Sequence, residues 1–294
     1  MQIITFLCNS LVLSASCNYG MRSEAWDFGL WGRALRFDLS SSSSLGLKLK
    51  SLGAQADDLD ILLQAVKRRV PVAANASVIR EPNDVRQLTV LLTGTTCSYK
   101  RNEDGGRSIL SFQHAGDFCD LYRFVLPALD REIGVQALTD CTVGGVDYRD
   151  MEELLSRPTL ALALWRASML EAAVYRERLT STGRGTALER VAHLLCEQLA
   201  RREAIGIHAQ RLPFSQIDVA DATGLSVVHV NRTIQTLRNL DVLSKCSRHI
   251  EVIDGKRLTQ LAKFDGFYLK CPDPAPEGMG RAHPLDHAVG TSLR

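Results

Sequence analysis

The stretch FSQIDVADATGLSVVHVNRTIQTLRNLDVL, residues 214–243, decides how this chain is read. Ser215 is placed to cap a short helix carrying Ile217, Val219 and Ala220. Ala220 is small, as a close crossing of two helices requires, and Gly224 follows four residues later, where a left-handed backbone reverses the chain. Leu225 plugs the corner, and Ser226 caps a second helix that turns Val230, Ile234 and Leu237 inward. That leaves Val227, Val228, His229, Asn231, Arg232 and Gln235 on or near the outer side. The pattern predicts a helix-turn-helix whose second helix enters the major groove of double-stranded DNA. Arg232 can donate two hydrogen bonds to guanine, Asn231 or Gln235 can read adenine, and Val227 can touch a thymine methyl. The same side chains also serve phosphates, so no base is assigned to any of them. A plain helical hairpin with a polar face is the competing reading.

Downstream, Ser244 to Val252 predicts two strands around the turn Ser247-Arg248-His249, with Ile250 and Val252 alternating inward. Such a wing would offer Lys245 and Arg248 to phosphates. Upstream, Thr186 and Glu189 form a capping-box pair for a helix running to about Arg202 that buries Leu188, Val191, Leu195 and Leu199. Gly183 and Gly185 separate it from a long helical stretch beginning at Pro158. There Leu160, Ala163, Ala167, Leu170 and Val174 recur at spacings of three and four, a stripe that predicts either a parallel dimer seam or packing on the chain's own β-domain.

The front half differs in character. Asp57 to Arg69 predicts a helix with Leu59, Leu62, Leu63 and Val66 on one face. Leu88 to Leu92, Thr95 to Lys100, Ser108 to Phe112 and Val135 to Val146 read as short strands broken at Gly94, at 102–106 and at Gly116-Asp117-Phe118. Many short strands between glycine turns indicate a β-sandwich or β-roll. The fold class is therefore α+β: a jelly-roll-like double-stranded β-roll over 46–156, a dimerisation helix over 157–182, and a winged helix-turn-helix over 183–268. Residues 1–45 and 269–294 read as disordered extensions.

Composition is ordinary for a folded domain pair, at 45% hydrophobic and 23% charged over 294 residues. From Arg184 to Lys263 there are twelve Lys/Arg against eight Asp/Glu, while the rest holds twenty-three against twenty-five. The basic surplus thus lies on the half expected to approach phosphates. The eight cysteines (8, 17, 97, 119, 141, 196, 246 and 271) contain no C-x-x-C pair, which argues for reduced thiols and against a zinc or iron–sulfur site. The apolar N-terminal run lacks a preceding Lys or Arg and is interrupted by Asn9 and Ser10, so neither a secretion signal nor a membrane span is expected, and a cytoplasmic location is. No Walker loop, G-x-S-x-G or H-E-x-x-H is present, and the chain reads as a non-enzyme without a cofactor.

The order of β-roll, long helix and winged helix-turn-helix resembles the Crp/Fnr family of transcription regulators over about residues 46–265. The resemblance is carried by ATGLSVVHVNRTIQTLR (222–238), Ala115-Gly116-Asp117-Phe118 and Ala137-Leu138-Thr139-Asp140-Cys141. It implies a homodimer, a palindromic DNA site, a contact with RNA polymerase, and a sensor that adjusts DNA affinity through the dimer helix. Arg232 falls where the family commonly carries a base-contacting arginine. Val227 and Val228 stand where the family often has Arg-Glu, so a different DNA sequence is expected. Nucleotide-binding members hold their ligand with Gly-Glu-Leu and Arg-Ser. This chain has Cys119-Asp120-Leu121 and Arg131-Glu132 there, which removes the close backbone approach and puts a negative charge where a phosphate donor is wanted. These five residues are the candidate effector pocket, with a ligand other than a cyclic nucleotide expected. Oxygen-sensing members carry an N-terminal cysteine cluster, but only Cys8 and Cys17 lie near this start. Haem stays open through His114 or Cys97. A cyclic-nucleotide signalling module docking protein through its C-terminal domain is the second reading.

Overall fold

The computed structural model describes residues 43–79, 87–103, 105–126, 133–246 and 249–270. Two helices open it, α1 (Ser44–Ser51) and α2 (Ala56–Ala65). Part of the serine run assigned to the extension is structural: Ser43 caps α1, its hydroxyl accepting from the Gly46 N–H at 3.1 Å. The helix expected to reach Arg69 stops at Ala65. Val66 is extended, and the charged run that follows forms strand β1 (Lys67–Val72). Arg68 has a positive φ of 50°, and a bulge lies between Lys67 and Val70.

The remaining strands are β2 (Ser77–Ile79), β3 (Gln87–Thr93), β4 (Thr95–Arg101), β5 (Arg107–His114), β6 (Ile133–Ala137) and β7 (Cys141–Asp147). They form two antiparallel sheets ordered β1-β7-β3 and β2-β6-β4-β5. Leu91, Val135, Ala137 and Val143 form a buried cluster drawn from both sheets. Strand β3 is buried on both faces: Leu88 and Val90 join one core cluster and Leu91 the other, as its dense apolar run suits. Gly116 has φ +93°, and a Cβ there would stand 2.7 Å from the Ser44 carbonyl oxygen. Glycine at this turn is what lets α1 close over the end of β5.

Between β5 and β6 lies the short helix α3 (Leu121–Val125), and β7 leads into α4 (Tyr148–Leu155) and the long α5 (Pro158–Arg184). A capped α6 (Ala187–Glu203) follows, Thr186 and Glu189 exchanging the two capping-box hydrogen bonds. Beyond it come β8 (Arg211–Leu212), α7 (Gln216–Thr223), α8 (Val227–Asn239), β9 (Ile250–Glu251), α9 (Gly255–Ala262) and a 3-10 helix at Gly266–Leu269.

The C-terminal core is continuous with the sheet β2-β6-β4-β5. Val191, Leu195, Val219, Val230, Ile234 and Leu237 belong to one buried cluster with Cys97, Ile109 and Phe112 of β4 and β5. The Phe112 and Phe214 rings lie 4.4 Å apart between centroids. The polar edge of α6 is buried too. Glu197 accepts from Arg178 Nη2 (3.3 Å), Gln198 Nε2 (2.7 Å) and the Tyr268 hydroxyl (3.0 Å), so its charge is fully engaged. Among the described residues no helix is long and apolar enough to cross a membrane.

Candidate nucleic-acid interface

Helices α7 and α8 are positioned by local chemistry. Ser215 and Asp218 form a capping box at the start of α7, the Ser215 N–H donating to the Asp218 carboxylate at 2.7 Å. Gly224 adopts the left-handed conformation at φ +66° and turns the chain. Ser226 then caps α8, accepting from the His229 N–H at 3.2 Å. Val230, Ile234 and Leu237 are buried, and Leu225 packs against the same cluster. At the far end Arg257 Nη1 donates to the Leu240 carbonyl at 2.8 Å, satisfying a group the helix leaves open.

This scaffold leaves one face of α8 in solvent. Ser226, Val227, Val228, His229, Asn231, Arg232 and Gln235 are all exposed. Asn231 Nδ2 donates to Gln216 Oε1 at 3.0 Å, which ties the amide to the start of α7 and orients it. Gln216 was not singled out by the sequence; its place just after the capping Ser215 was the available signal. Thr233 and Thr236 spend their hydroxyls on backbone carbonyls within the helix, at 2.9 and 3.0 Å. The Arg232 side chain forms no hydrogen bond or ion pair with other described residues, so its guanidinium stands open to a ligand.

The wing is smaller than expected. In place of a two-stranded hairpin within 244–252, β9 pairs with β8, and Leu243 and Val252 make an isolated bridge. Ile250 and Val252 are buried as the alternation requires. The partner strand comes from before α7 because Leu212 and Phe214 must close the same core. Lys245 is exposed and already paired with Asp241 at 2.7 Å, which weakens it as a free phosphate donor. Ser247 and Arg248 lie outside the described residues.

Of the five candidate effector residues, the structure describes Cys119, Asp120 and Leu121, and these three do not share a pocket. Cys119 and Asp120 are turned into the fold. The Thr89 N–H and hydroxyl donate to the Asp120 carboxylate at 2.8 and 3.2 Å, and burial pushes its pKa up to about 6. Burial likewise raises the Cys119 thiol well above its usual range. Leu121 lines an open volume; Arg131 and Glu132 lie outside the described residues. On the β-roll side of α5 the chain's own polar groups engage one another: the Ser111 and Tyr175 hydroxyls donate to Glu171 at 3.2 and 2.9 Å, and Gln113 Nε2 donates to Ser111 at 2.7 Å. His114 is buried, shares a 2.9 Å hydrogen bond with Gln198 Oε1, and is kept neutral by burial and by Arg201, its pKa falling to about 3. Burial raises the Cys97 thiol to about 12. Among the described residues no group of three or more His, Cys, Asp or Glu side chains is placed to hold a metal ion.

The stripe expected on the dimer helix faces inward. Leu160 and Ala163 sit in the core formed with α1, α2 and α4, Ala167 and Leu170 pack against it, and Val174 is buried. The helix is apolar on a second side, which the first stripe concealed. Leu162 (45% exposed), Trp165 (65%), Met169 (50%) and Leu179 (75%) share a solvent face. With Ala172 and Arg176 they recur at alternating spacings of three and four, the heptad period of a two-stranded coiled coil.

Two family descriptions match the chain: a Crp-like helix-turn-helix domain over residues 189–261 and a cyclic nucleotide-binding domain over 69–158. The nitrogen fixation regulation protein FixK of Rhizobium meliloti is 31% identical over 170 residues, 58% of this chain and 75% of that one. The fumarate and nitrate reduction regulatory protein of Vibrio cholerae is 25% identical over 209 residues, 70% of this chain and 82% of that one. The solved structure of FixK2 from Bradyrhizobium japonicum superposes with a TM-score of 0.57 at 27% identity, covering 67% of this chain and 97% of that one.

Proposed function

The chain belongs to the Crp/Fnr family of transcription regulators, and from that premise we propose that it binds a two-fold-symmetric DNA site as a homodimer, α8 of each copy lying in a major groove. One observation carries the reading: the outer face of a helix braced at both ends presents an unengaged Arg232 beside an oriented Asn231. Arg232, Asn231 and Gln235 would face base edges, while Ser226, His229 and Lys245 would lie nearer the phosphates. The copies would join through the exposed α5 stripe of Leu162, Trp165, Met169 and Leu179, which leaves the two recognition helices free. The named relatives are regulators rather than enzymes. The buried Cys119 and Asp120 favour a ligand other than a cyclic nucleotide, because neither can reach a phosphate or a ribose without unpacking β3.

Selection of genomic fragments by the purified full chain tests this. The retained fragments should share an inverted repeat with half-sites about one helical turn apart. Arg232→Ala should lose the preference for that repeat by about 1–3 kcal/mol while residual binding keeps its steep fall with salt. Retained fragments with no common sequence, or an Arg232→Ala protein of unchanged selectivity, would refute the assignment.

A further inference from the structure

A cavity of about 550 Å³ lies between α1, the turn after β5, α5, α6 and the segment 266–270. Its size falls in the range that accepts small organic ligands, roughly 300–1,000 Å³. Leu49, Leu52, Leu121, Leu170, Val174 and Leu269 give it apolar walls. Its polar pole is a three-residue cluster. Asp117 Oδ1 pairs with Lys48 Nζ at 2.9 Å, and Oδ2 pairs with Arg201 Nη2 at 3.1 Å while accepting from the His114 N–H at 3.0 Å. One carboxylate therefore serves two cations, and the cluster keeps a surplus positive charge. Burial works against the charge on Arg201, but Asp117, with Glu197 and Glu171, outweighs it and holds the guanidinium ionised.

The guanidinium is only half used. Arg201 Nη1 is buried and finds no hydrogen-bond partner among the described residues. A buried charged donor left unmatched is costly, so the site favours an acceptor that can fill it. Glu171, the other acidic wall residue, already accepts from Ser111 and Tyr175. Lys270 stands exposed at the edge.

We propose that this cavity binds a small amphipathic monocarboxylate, its carboxylate on Arg201 and its hydrocarbon body against Leu49, Leu52 and Leu170. A single unmatched guanidinium nitrogen, and a lining in which Lys48, Arg201 and Lys270 outnumber Asp117 and Glu171 by one charge, suit a monoanion better than a phosphate dianion, which would want more donors. The ligand would touch α1 and α5 of the sensor half and α6 of the DNA-binding half at once. Its binding would therefore favour this arrangement of the halves over any in which they separate. The site is independent of how α8 reads DNA, and its test contains no DNA.

Octanoate is the probe, titrated calorimetrically into the full chain alongside octan-1-ol, with thermal unfolding followed in parallel. Octanoate should bind one site per chain and raise the unfolding temperature, and octan-1-ol should bind at least ten-fold more weakly. Ser168→Leu fills the cavity from α5. Ser168 offers only a 3.4 Å hydrogen bond to its own helix, so the variant should fold and lose octanoate binding at least ten-fold. Arg201→Gln should bring octanoate down to the affinity of the alcohol. No saturable octanoate binding, equal binding of the alcohol, or undiminished binding by Ser168→Leu would each overturn the proposal.

Discussion

Arg107 on β5 and Asp221 on α7 are ion-paired at 2.7 Å, so the β-sheet of the front half grips the helix that braces α8. The same guanidinium reaches Asp218 at 2.5 Å and the Gln136 side chain, and it lies 3.9 Å from Cys97 Sγ. One side chain thus joins β4, β5, β6 and α7. Its charge outlasts the burial it suffers because two carboxylates face it. Together with the Phe112–Phe214 contact, it makes the two halves one packed body.

Arg107→Ala should destabilise the chain by about 1–3 kcal/mol, since it leaves two partly buried carboxylates facing each other. Arg107→Lys should recover only part of this, because an ammonium cannot fork between Asp218, Asp221 and Gln136. Urea unfolding of Arg107→Ala, Asp221→Ala and the double variant measures the coupling. Additivity within about 0.5 kcal/mol would show that the pair is not energetically linked.

Asp120 gives a stability term with a definite sign. An unfolded aspartate ionises near pH 4, about 3.9 in model peptides, whereas burial raises the folded pKa to about 6. Between those values the folded chain holds a proton that the unfolded chain has lost. The contribution of Asp120 to stability therefore falls as pH rises through that window and stays low above it. His114, neutral with its pKa lowered to about 3, acts oppositely below about pH 6.5. The difference between wild type and Asp120→Asn isolates the aspartate. Asparagine can still accept the Thr89 N–H, so the variant should be more stable at pH 8 by about 2–3 kcal/mol, with the gain vanishing near pH 4. A gain that did not change with pH would contradict this account.

Local chemistry was legible in the sequence and long-range pairing was not. Ser215, Gly224 and Ser226 announce α7 and α8 because caps and left-handed turns are decided within four residues. Strand β1 escaped notice: Lys67, Arg68 and Arg69 are exposed on a sheet edge, where no apolar alternation is required, and Pro71 is tolerated there. Asp120 looked like a ligand group because its partner, Thr89, lies 31 residues away. Arg107 gave no signal at all, its partner Asp221 being 114 residues distant. On α5 the period is plain in the sequence but the choice between a dimer seam and packing on the chain's own β-domain is not, since only the core formed by α1, α2 and α4 tells the inner stripe from the outer.

Gly224 offers a clean test of the turn. A Cβ built there meets no heavy atom within 4 Å, so the cost of Gly224→Ala is conformational alone, about 1–2 kcal/mol for a residue forced left-handed. Gly224→Asn should cost less, since asparagine tolerates that region better. Chemical unfolding of both variants ranks them. Equal stability for all three proteins would mean the turn relaxes to another backbone.

The two stripes of α5 predict opposite phenotypes. Met169 is solvent-exposed on the outer stripe, so Met169→Glu leaves the core untouched and would place two like charges across the proposed seam from one another. Sedimentation equilibrium should find the wild type dimeric at micromolar concentration and the variant monomeric, with its secondary structure intact. Leu160 is fully buried on the inner stripe. Leu160→Ala should cost about 2–5 kcal/mol through the cavity it leaves, whatever the protein concentration. DNA affinity should fall for Met169→Glu because each half-site is then bound alone, and supplying a single half-site should show no difference between variant and wild type. A Met169→Glu protein that remained dimeric would place the seam elsewhere, and the exposed Leu162, Trp165 and Leu179 would then need another partner.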